Sequence, residues 1–246
     1  MKGYSCFADY YDRLTQNVGY RQRADYLCTL FSHLEHEPGL LLDLACGTGS
    51  LTLELKKRGI DCYGIDASPE MLSVAQQKAA QAGESILFLC QDMRNIDLYG
   101  TVDTVLCCLD SINHLTTVKD VQMTFERVSL FLNPGGYFIF DVNTIYKHRE
   151  ILANNTFVYD TDNVYCVWQN TLIENVCKVR IHLDFFERDG NCYYRKQEEF
   201  FERAYTHEEI VGMLHKAGLS LVGCYAEGSF CKPVEDTQRI FYVARK

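Results

Sequence analysis

The sequence lacks the features that mark several large classes of protein. No run is long and apolar enough to span a membrane, and the start Met-Lys-Gly-Tyr-Ser-Cys does not have the form of a signal peptide. Basic residues are in the minority, with 24 Lys and Arg against 33 Asp and Glu and a net charge of −9. A general nucleic-acid-binding protein usually carries a basic face. We therefore place the chain in the cytoplasm and expect neither a membrane nor a nucleic-acid partner.

Paired cysteines of the kind that bind zinc are also missing. The chain has 12 cysteines, but none of them forms a Cys-x-x-Cys pair, so we expect no metal site. Five cysteines are predicted to lie in core strands, namely Cys46, Cys62, Cys90, Cys107 and Cys108. Small buried thiols that stay reduced explain them better than disulfides or a catalytic nucleophile.

An apolar run that ends in an acid and two glycines is the most informative stretch present. Leu40 to Leu55 reads LLLDLACGTGSLTLEL, which is typical of a buried strand, a glycine turn and the start of a helix. That arrangement forms nucleotide sites at the carboxyl end of a sheet strand. Thr52 stands where a dinucleotide site needs its third glycine, and no Gly-Lys-Ser or Gly-Lys-Thr is present. Asp43 before the glycines suits a ligand that presents hydroxyls or an ammonium better than one that presents a pyrophosphate.

A second acid follows the next predicted strand. Asp66 comes after the strand at 60–65, where nucleotide-binding sheets hold ribose hydroxyls. It could instead only cap the next helix, but Ser68 followed by Pro69 already supplies a helix start. The ribose role is therefore favoured for Asp66.

These stretches together resemble the class I S-adenosylmethionine-dependent methyltransferases. The run Asp-Leu-Ala-Cys-Gly-Thr-Gly, from Asp43 to Gly49, is similar to the first motif of the family, and Gly-Ile-Asp-Ala-Ser-Pro-Glu-Met-Leu is similar to the second. The resemblance implies that S-adenosylmethionine is the cofactor, that Asp66 binds its ribose and that Asp92 binds the adenine amino group. It extends the predicted cofactor site to Tyr11, Asp43, Ala45, Gly47, Gly49, Ala67, Met71, Met93, Cys108 and Leu109.

Candidate groups for the acceptor side follow the fourth predicted strand. Asp110, Asn113 and His114 lie directly after the strand at 104–109, at the mouth of the same crevice. The segment resembles a Cys-Asp-Ser-x-Asn-aromatic stretch of a bacterial subgroup of small methyltransferases, which generally has tyrosine at the position of His114. His114 could act as a general base, or it could be a capping or core histidine.

The order of elements predicts an α/β fold. We expect a doubly wound, mostly parallel seven-stranded Rossmann-like sheet with an inserted antiparallel β lid. Residues 1–144 and 206–246 would form the cofactor-binding domain, and residues 145–205 would form the insertion. The insertion shows no helix signal, and Asp189-Gly190 is a strong hairpin signal within it. Its predicted strands are at 156–160, 164–173, 176–188 and 191–203.

The predicted reaction is transfer of a methyl group from S-adenosylmethionine to an unidentified small molecule by in-line displacement. Alignment of the two reactants can supply about 7–11 kcal/mol of the barrier, so no nucleophilic residue is needed. One alternative is a nonenzymatic regulator that binds S-adenosylmethionine. A nicotinamide dehydrogenase is a second, and Thr52 in place of the third glycine argues against it.

Overall fold

The computed structural model describes residues 18–246, so the predicted cofactor contact of Tyr11 lies outside the described residues. Within this range the strands alternate with helices up to residue 143, and a segment of four consecutive strands follows at residues 156–203. In chain order the strands are β1 (Leu41–Leu44), β2 (Cys62–Asp66), β3 (Phe88–Cys90), β4 (Val102–Cys107), β5 (Leu132–Asn143), β6 (Thr156–Asp160), β7 (Val164–Ile173), β8 (Lys178–Asp189), β9 (Cys192–Arg203), β10 (Ser220–Ala226) and β11 (Arg239–Arg245).

Three of the five α-helices in this range begin at a side-chain cap. In chain order they are α1 (Tyr20–His33), α2 (Ser50–Lys56), α3 (Pro69–Gln81), α4 (Val118–Phe131) and α5 (His207–Lys216). Ser68 caps α3 by accepting from the Met71 N–H, and Thr206 and Glu209 form a capping box at α5. None of the helices between residues 18 and 246 is both long and apolar enough to cross a membrane.

One seven-stranded sheet forms the centre of the molecule. Its strand order is β10-β11-β5-β4-β1-β2-β3. Strands β1 to β5 are parallel, whereas β11 runs antiparallel to both β5 and β10. The chain reverses direction across the sheet between β1 and β4, and ligands bind at such a switch point in open α/β sheets. The sheet confirms the predicted doubly wound fold.

The central strands are covered on both faces. All four residues of β1 are buried, as expected for an apolar strand in a parallel sheet. On one face α4 and α5 enclose a core around Phe125, Phe138 and Phe140. On the other face α1 and α2 pack Leu27, Phe31 and residues of the same strands into a second core.

A second, antiparallel sheet is inserted between β5 and α5. Strands β6, β7, β8 and β9 pair in sequence order, and we call them the inserted sheet. The predicted hairpin is present: Asp189 pairs with Cys192, and Gly190 adopts a positive φ of 59° in the turn. The buried face of the sheet packs Ile181, Leu183 and Phe185 against Met71 at the start of α3. The inserted sheet therefore lies beside the helix that follows the second strand-end acid.

Two local predictions were wrong. Residues Lys147–Leu152 form a π-helical segment, although no helix was predicted between β5 and α5. The segment has only His148 and Leu152 buried, which is too few for an apolar period to show in the sequence. Cys90 was predicted to lie in the core but is exposed, because β3 is an edge strand and Cys90 is its last residue.

Candidate active site

The turn after β1 is built from residues with left-handed backbone. Ala45, Gly47 and Gly49 have φ values of 60°, 55° and 68°. A Cβ added at Gly49 would lie 2.9 Å from the Cβ of Ala75, so this glycine is needed for packing. A Cβ added at Gly47 would meet no other atom of residues 18–246 within 4 Å. The turn is therefore closed towards α3 at Gly49 and open at Gly47, where a ligand can approach the backbone.

Asp43 lies beneath this turn and is almost fully buried. The hydroxyl of Thr52 donates to its Oδ2 atom at 2.6 Å. Burial raises the pKa of Asp43 to about 7, with the Thr52 hydrogen bond opposing the shift and the charge of Asp66 adding to it. Thr52, which broke the dinucleotide pattern, thus serves here as the partner of the first acid.

Asp66 joins the glycine turn to the start of α3. Its Oδ2 accepts from the Gly47 N–H at 2.9 Å, and its Oδ1 accepts from the Ser68 N–H at 2.8 Å. Burial raises the pKa of Asp66, and these backbone hydrogen bonds oppose the shift. A carboxylate has about four acceptor positions, so Asp66 retains capacity for the hydroxyls of a ligand.

A cleft connects the glycine turn with the loop after β4. Its lining contains one acid and, among the described residues, no lysine or arginine; it consists of Tyr20, Asp43, Ala45, Cys46, Gly47, Thr48, Ser50, Leu51, Cys108, Leu109 and Ser111. Leu109 and Asp110 in that loop have φ values of 61° and 52°. Non-glycine residues in this region cost energy and cluster at functional sites. The strained loop therefore needs strong support from its surroundings.

Asp141 on β5 provides that support and was not predicted. It is fully buried, and its carboxylate accepts from the Leu109 N–H at 2.9 Å and from the Asp110 N–H at 2.7 Å. Arg23 and Arg239 also donate to it. The sequence contains a signal for this role, because Asp141 interrupts the apolar strand Phe-Ile-Phe-Asp-Val.

The loop after β4 carries the predicted acceptor-side residues in different environments. Asp110 forms an ion pair of 2.6 Å with Arg239. Burial tends to raise the pKa of Asp110, but the charges of Arg239 and Lys147 lower it below its ordinary value. The Asn113 side chain bridges the backbone of β5 and β9: its Oδ1 accepts from the Asn143 N–H, and its Nδ2 donates to the carbonyls of Asn143 and Arg203. Asn113 thus holds the loop against both sheets.

His114 faces the inserted sheet. Its ring packs against Phe200 with centroids 5.3 Å apart, and its Nε2 lies 3.9 Å from Oε1 of Glu202. Burial lowers the pKa of His114, although the charge of Asp110 acts in the opposite direction. The imidazole is therefore neutral near pH 7, which is the form that can accept a proton.

Glu202 is the second residue that sequence reasoning missed. It is 4% exposed, and burial together with the charge of Asp110 raises its pKa to about 8. The Nδ2 of Asn143 donates to its Oε2 at 3.4 Å. The signal for Glu202 was the alternation of β9, which places Glu198, Phe200 and Glu202 on the face that packs inwards.

The remaining predicted cofactor residues lie outside the lining of the cleft. Asp92 caps the turn at Met93–Asn95, and its carboxylate accepts from the backbone and guanidinium of Arg94. Met71 is packed against the inserted sheet, and Met93 is buried in the main core. Ala67 lies between Asp66 and the cap of α3. The adenine role of Asp92 stays a prediction.

The fold and the cleft define a class of protein. The molecule is a doubly wound α/β protein in which the glycine turn after β1 meets Asp66 at the end of β2. The profile of the methyltransferase-domain family matches residues 41–136, which include both motifs. The chain belongs to the class I S-adenosylmethionine-dependent methyltransferases.

Individual relatives match most or nearly all of the chain. YqeM of Bacillus subtilis strain 168, described as a methyltransferase, is 36% identical over 244 residues, which are 99% of this chain and 97% of that protein. A glycine/sarcosine N-methyltransferase of Halorhodospira halochloris is 26% identical and covers 82% of this chain and 73% of its own. The crystal structure of an S-adenosylmethionine-dependent methyltransferase from Clostridium acetobutylicum has a TM-score of 0.88, 36% identity and 98% coverage of both chains.

The residues present fit S-adenosylmethionine. The open side of Gly47 leaves room for a ligand above the turn, and the Asp66 carboxylate lies at its edge. The cleft lining holds Asp43 and, within residues 18–246, no cationic side chain, which suits a positively charged sulfonium better than a pyrophosphate. The ribose role of Asp66 stays a prediction.

Proposed function

We propose that this methyltransferase acts on a small polar molecule held between the loop after β4 and the inserted sheet. The observation that carries the proposal is the position of Glu202. It comes from the inserted sheet, yet its carboxyl lies 3.9 Å from His114 in the loop beside the cofactor cleft. The two sheets therefore share one polar site next to the glycine turn.

The chain's own residues would position the reactants. Asp66 and the glycine turn bind one end of the site, and the loop held by Asp141 forms the other. When bound, S-adenosylmethionine supplies a methyl group on a positively charged sulfur, which the acceptor atom displaces in line. The protein has to align the acceptor and exclude water, and alignment is worth about 7–11 kcal/mol.

Two observations support a small acceptor: the acceptor-side residues are mostly covered, and the name of one relative refers to small substrates. His114 and Asp110 are mostly covered, with 19% and 18% of their side chains exposed. A polypeptide or nucleic acid would need an open groove, whereas a small molecule can be enclosed between loop and sheet. The similar protein of Halorhodospira halochloris acts on glycine and sarcosine by its name, and we extend small-molecule methylation to this chain.

Fractionation of a bacterial extract tests the proposal. The protein is incubated with S-adenosylmethionine and either the ultrafiltrate or the macromolecular retentate, and S-adenosylhomocysteine is quantified by mass spectrometry. We expect S-adenosylhomocysteine to form with the ultrafiltrate, together with a new compound heavier by one methylene.

The controls separate the competing outcomes. Product formation with the retentate alone would contradict a small acceptor. Tight binding of S-adenosylmethionine by calorimetry without turnover on either fraction would favour a nonenzymatic regulator. Asp61→Asn, an exposed residue directly before the strand that ends in Asp66, should behave as wild type.

A further inference from the structure

One wall of the cleft is formed by the strained loop after β4. Cys108, Leu109 and Ser111 of this loop line the cleft. Leu109 and Asp110 have left-handed backbone, which is unfavourable for a residue that carries a Cβ. Without support the loop would leave this conformation. The shape of the wall therefore depends on the groups that hold these two residues.

Asp141 holds the loop at the point where β4 ends. The last residue of β4 is Cys107, which pairs with Phe140, and β5 continues beyond it. Asp141 is the next residue of β5, and its carboxylate accepts from the N–H groups of Leu109 and Asp110 at 2.9 and 2.7 Å. Backbone N–H groups that leave a sheet need other acceptors. The carboxylate takes the place of the strand hydrogen bonds and fixes the path of the chain.

Two arginines fix the Asp141 carboxylate in turn. Arg239 donates to its Oδ1 and, through the other Nη atom, to Asp110 at 2.6 Å. Arg23 donates to the Oδ2 atom from α1 at 3.1 Å. Both arginine side chains are largely buried, and both also pair with the more exposed Glu227. We call Asp141, Arg23 and Arg239 the Asp141 network. Arg239 thus joins the acceptor of the two N–H groups to the side chain of Asp110.

The stability of the core does not explain a charged group at this position. Charges that leave water cost free energy that their attraction only partly returns, and apolar residues of similar volume often stabilise a fold as well or better. Ile139, two residues earlier on the same face of β5, packs in the core under α1 and α2. An apolar residue at position 141 would continue that core, but it could not accept from the loop. The charge of Asp141 therefore serves the loop after β4.

We propose that Asp141 and Arg239 are positioning residues for methyl transfer: they hold Leu109 and Asp110 in left-handed backbone and so keep the cleft in the shape that binds S-adenosylmethionine. Neither side chain belongs to the lining of the cleft. They act through the backbone of the loop, which Asp141 binds directly. The inference goes beyond the proposed function, because it concerns the cofactor and holds for any methyl acceptor.

Asp141→Asn tests the network. The amide keeps the size of the side chain, but it has one acceptor oxygen and no charge for the arginines. Because hydrogen bonds to a charged group are the stronger class, we expect the affinity for S-adenosylmethionine in calorimetry to fall about tenfold or more.

Asp103→Asn is the matched control for the loss of a supporting carboxylate. Asp103 lies near the amino end of β4, away from the loop, and its carboxylate accepts from the Leu40 N–H and from the Asn133 side chain. This variant should keep the affinity of the wild type for S-adenosylmethionine, even where it loses stability in urea denaturation.

Glycine at position 109 separates positioning from a general effect on the fold. Leu109→Gly removes the backbone cost of the left-handed conformation, whereas Leu109→Ala removes the side chain and keeps that cost. With Asp141 intact, the two variants should bind S-adenosylmethionine alike, because the network already holds the loop. Combined with Asp141→Asn, Leu109→Gly should bind about fivefold more tightly than Leu109→Ala, which is the lower end of that cost.

Arg239→Lys is the second variant, and it carries the same glycine and alanine pair if Asp141→Asn folds poorly. Lysine keeps the charge but lacks the planar fork that reaches both Asp110 and Asp141, so its affinity should lie between those of the wild type and Arg239→Gln. Wild-type affinity in Asp141→Asn would overturn the proposal. Equal affinities of the glycine and alanine variants in the weakened protein would also overturn it, because a general loss of folding is not recovered by one glycine in the loop. All these measurements use the cofactor alone, so a failed search for a small acceptor would leave them unaffected.

Discussion

The site contains several buried carboxyl groups, and each has different hydrogen-bond or ion-pair partners. Asp43 is held by Thr52, Asp66 by two backbone N–H groups and Asp141 by two arginines. Glu202 has weaker support, with Asn143 at 3.4 Å. Because a buried carboxylate with little support is costly, burial raises the pKa of Glu202 to about 8.

Asp66→Asn should reduce the affinity for S-adenosylmethionine by tenfold or more. The amide keeps the size of the side chain and one acceptor oxygen, but it loses the charge that favours two ribose hydroxyls. Hydrogen bonds to charged groups contribute about 1.5–3 kcal/mol. Calorimetry with S-adenosylmethionine measures the change, and Asp61→Asn, directly before β2, is the matched control. Equal affinity in both variants would remove the ribose role from Asp66.

The pH dependence of stability should reveal Glu202. The folded protein holds a proton on Glu202 that the unfolded chain releases above pH 4.5, so the free energy of unfolding falls as the pH rises from 4.5 to about 8. Asp43 also lowers the free energy of unfolding as the pH rises, but only up to about pH 7. Between pH 7 and 8 the free energy of unfolding of the wild type should therefore fall by about 1 kcal/mol more than that of Glu202→Gln.

Urea denaturation at each pH measures this difference. Glu199→Gln should keep the slope of the wild type, because its carboxylate lies on the outer face of β9. The same slope for Glu202→Gln and wild type would show that Glu202 titrates normally.

At the scale of elements, the two glycines of the turn after β1 have different predicted roles: Gly47 in ligand binding and Gly49 in packing. Gly47 and Gly49 both have positive φ, so alanine at either position costs about 1–2 kcal/mol in backbone strain. At Gly49 the new methyl group also meets Ala75 and Phe88 at 2.9–3.1 Å, whereas at Gly47 it meets no other described residue within 4 Å. Gly49→Ala should therefore be clearly the less stable variant, and Gly47→Ala should fold but lose cofactor affinity.

Denaturation and calorimetry together check this pair. Gly100→Ala is the control, since a Cβ there meets nothing within 4 Å and no positive φ is involved. A larger stability loss for Gly47→Ala than for Gly49→Ala, or full cofactor affinity in Gly47→Ala, would contradict the assignment of the open side to the ligand.

The elements themselves were largely predictable because their signals are local. The apolar run of β1, the Ser68-Pro69 start of α3 and the Asp189-Gly190 hairpin each lie within a few residues of the feature they determine. The π-helical segment at Lys147–Leu152 has no such local signal. It is stabilised by contacts with the inserted sheet, where Leu152 packs against β7 and β8.

At the scale of the whole molecule, the site depends on contacts that no local pattern can specify. Arg23 reaches Asp141 across 118 residues of sequence, and Arg239 reaches it across 98. Asn113 binds the carbonyl of Arg203, 90 residues away. These contacts join α1, the loop after β4, β11 and the inserted sheet into one site. The sequence could indicate the cofactor, but only the fold brings Glu202 to His114.

The assembly of the whole molecule also predicts where the two reactants meet. The glycine turn and the loop after β4 open at the same edge of the seven-stranded sheet, and the inserted sheet stands over that loop. Domain bounds of 1–144 with 206–246, and 145–205 for the insertion, remain our proposal for how the chain divides.

A crystal structure with S-adenosylhomocysteine tests the central claim most directly. We expect the ribose hydroxyls within about 3.2 Å of the Asp66 carboxylate, the amino-acid end above Gly47, and the sulfur directed towards the loop that carries Asp110. A nucleoside bound elsewhere, or bound in the cleft with Asp66 turned away from the ribose and the sulfur facing away from His114 and Glu202, would contradict it.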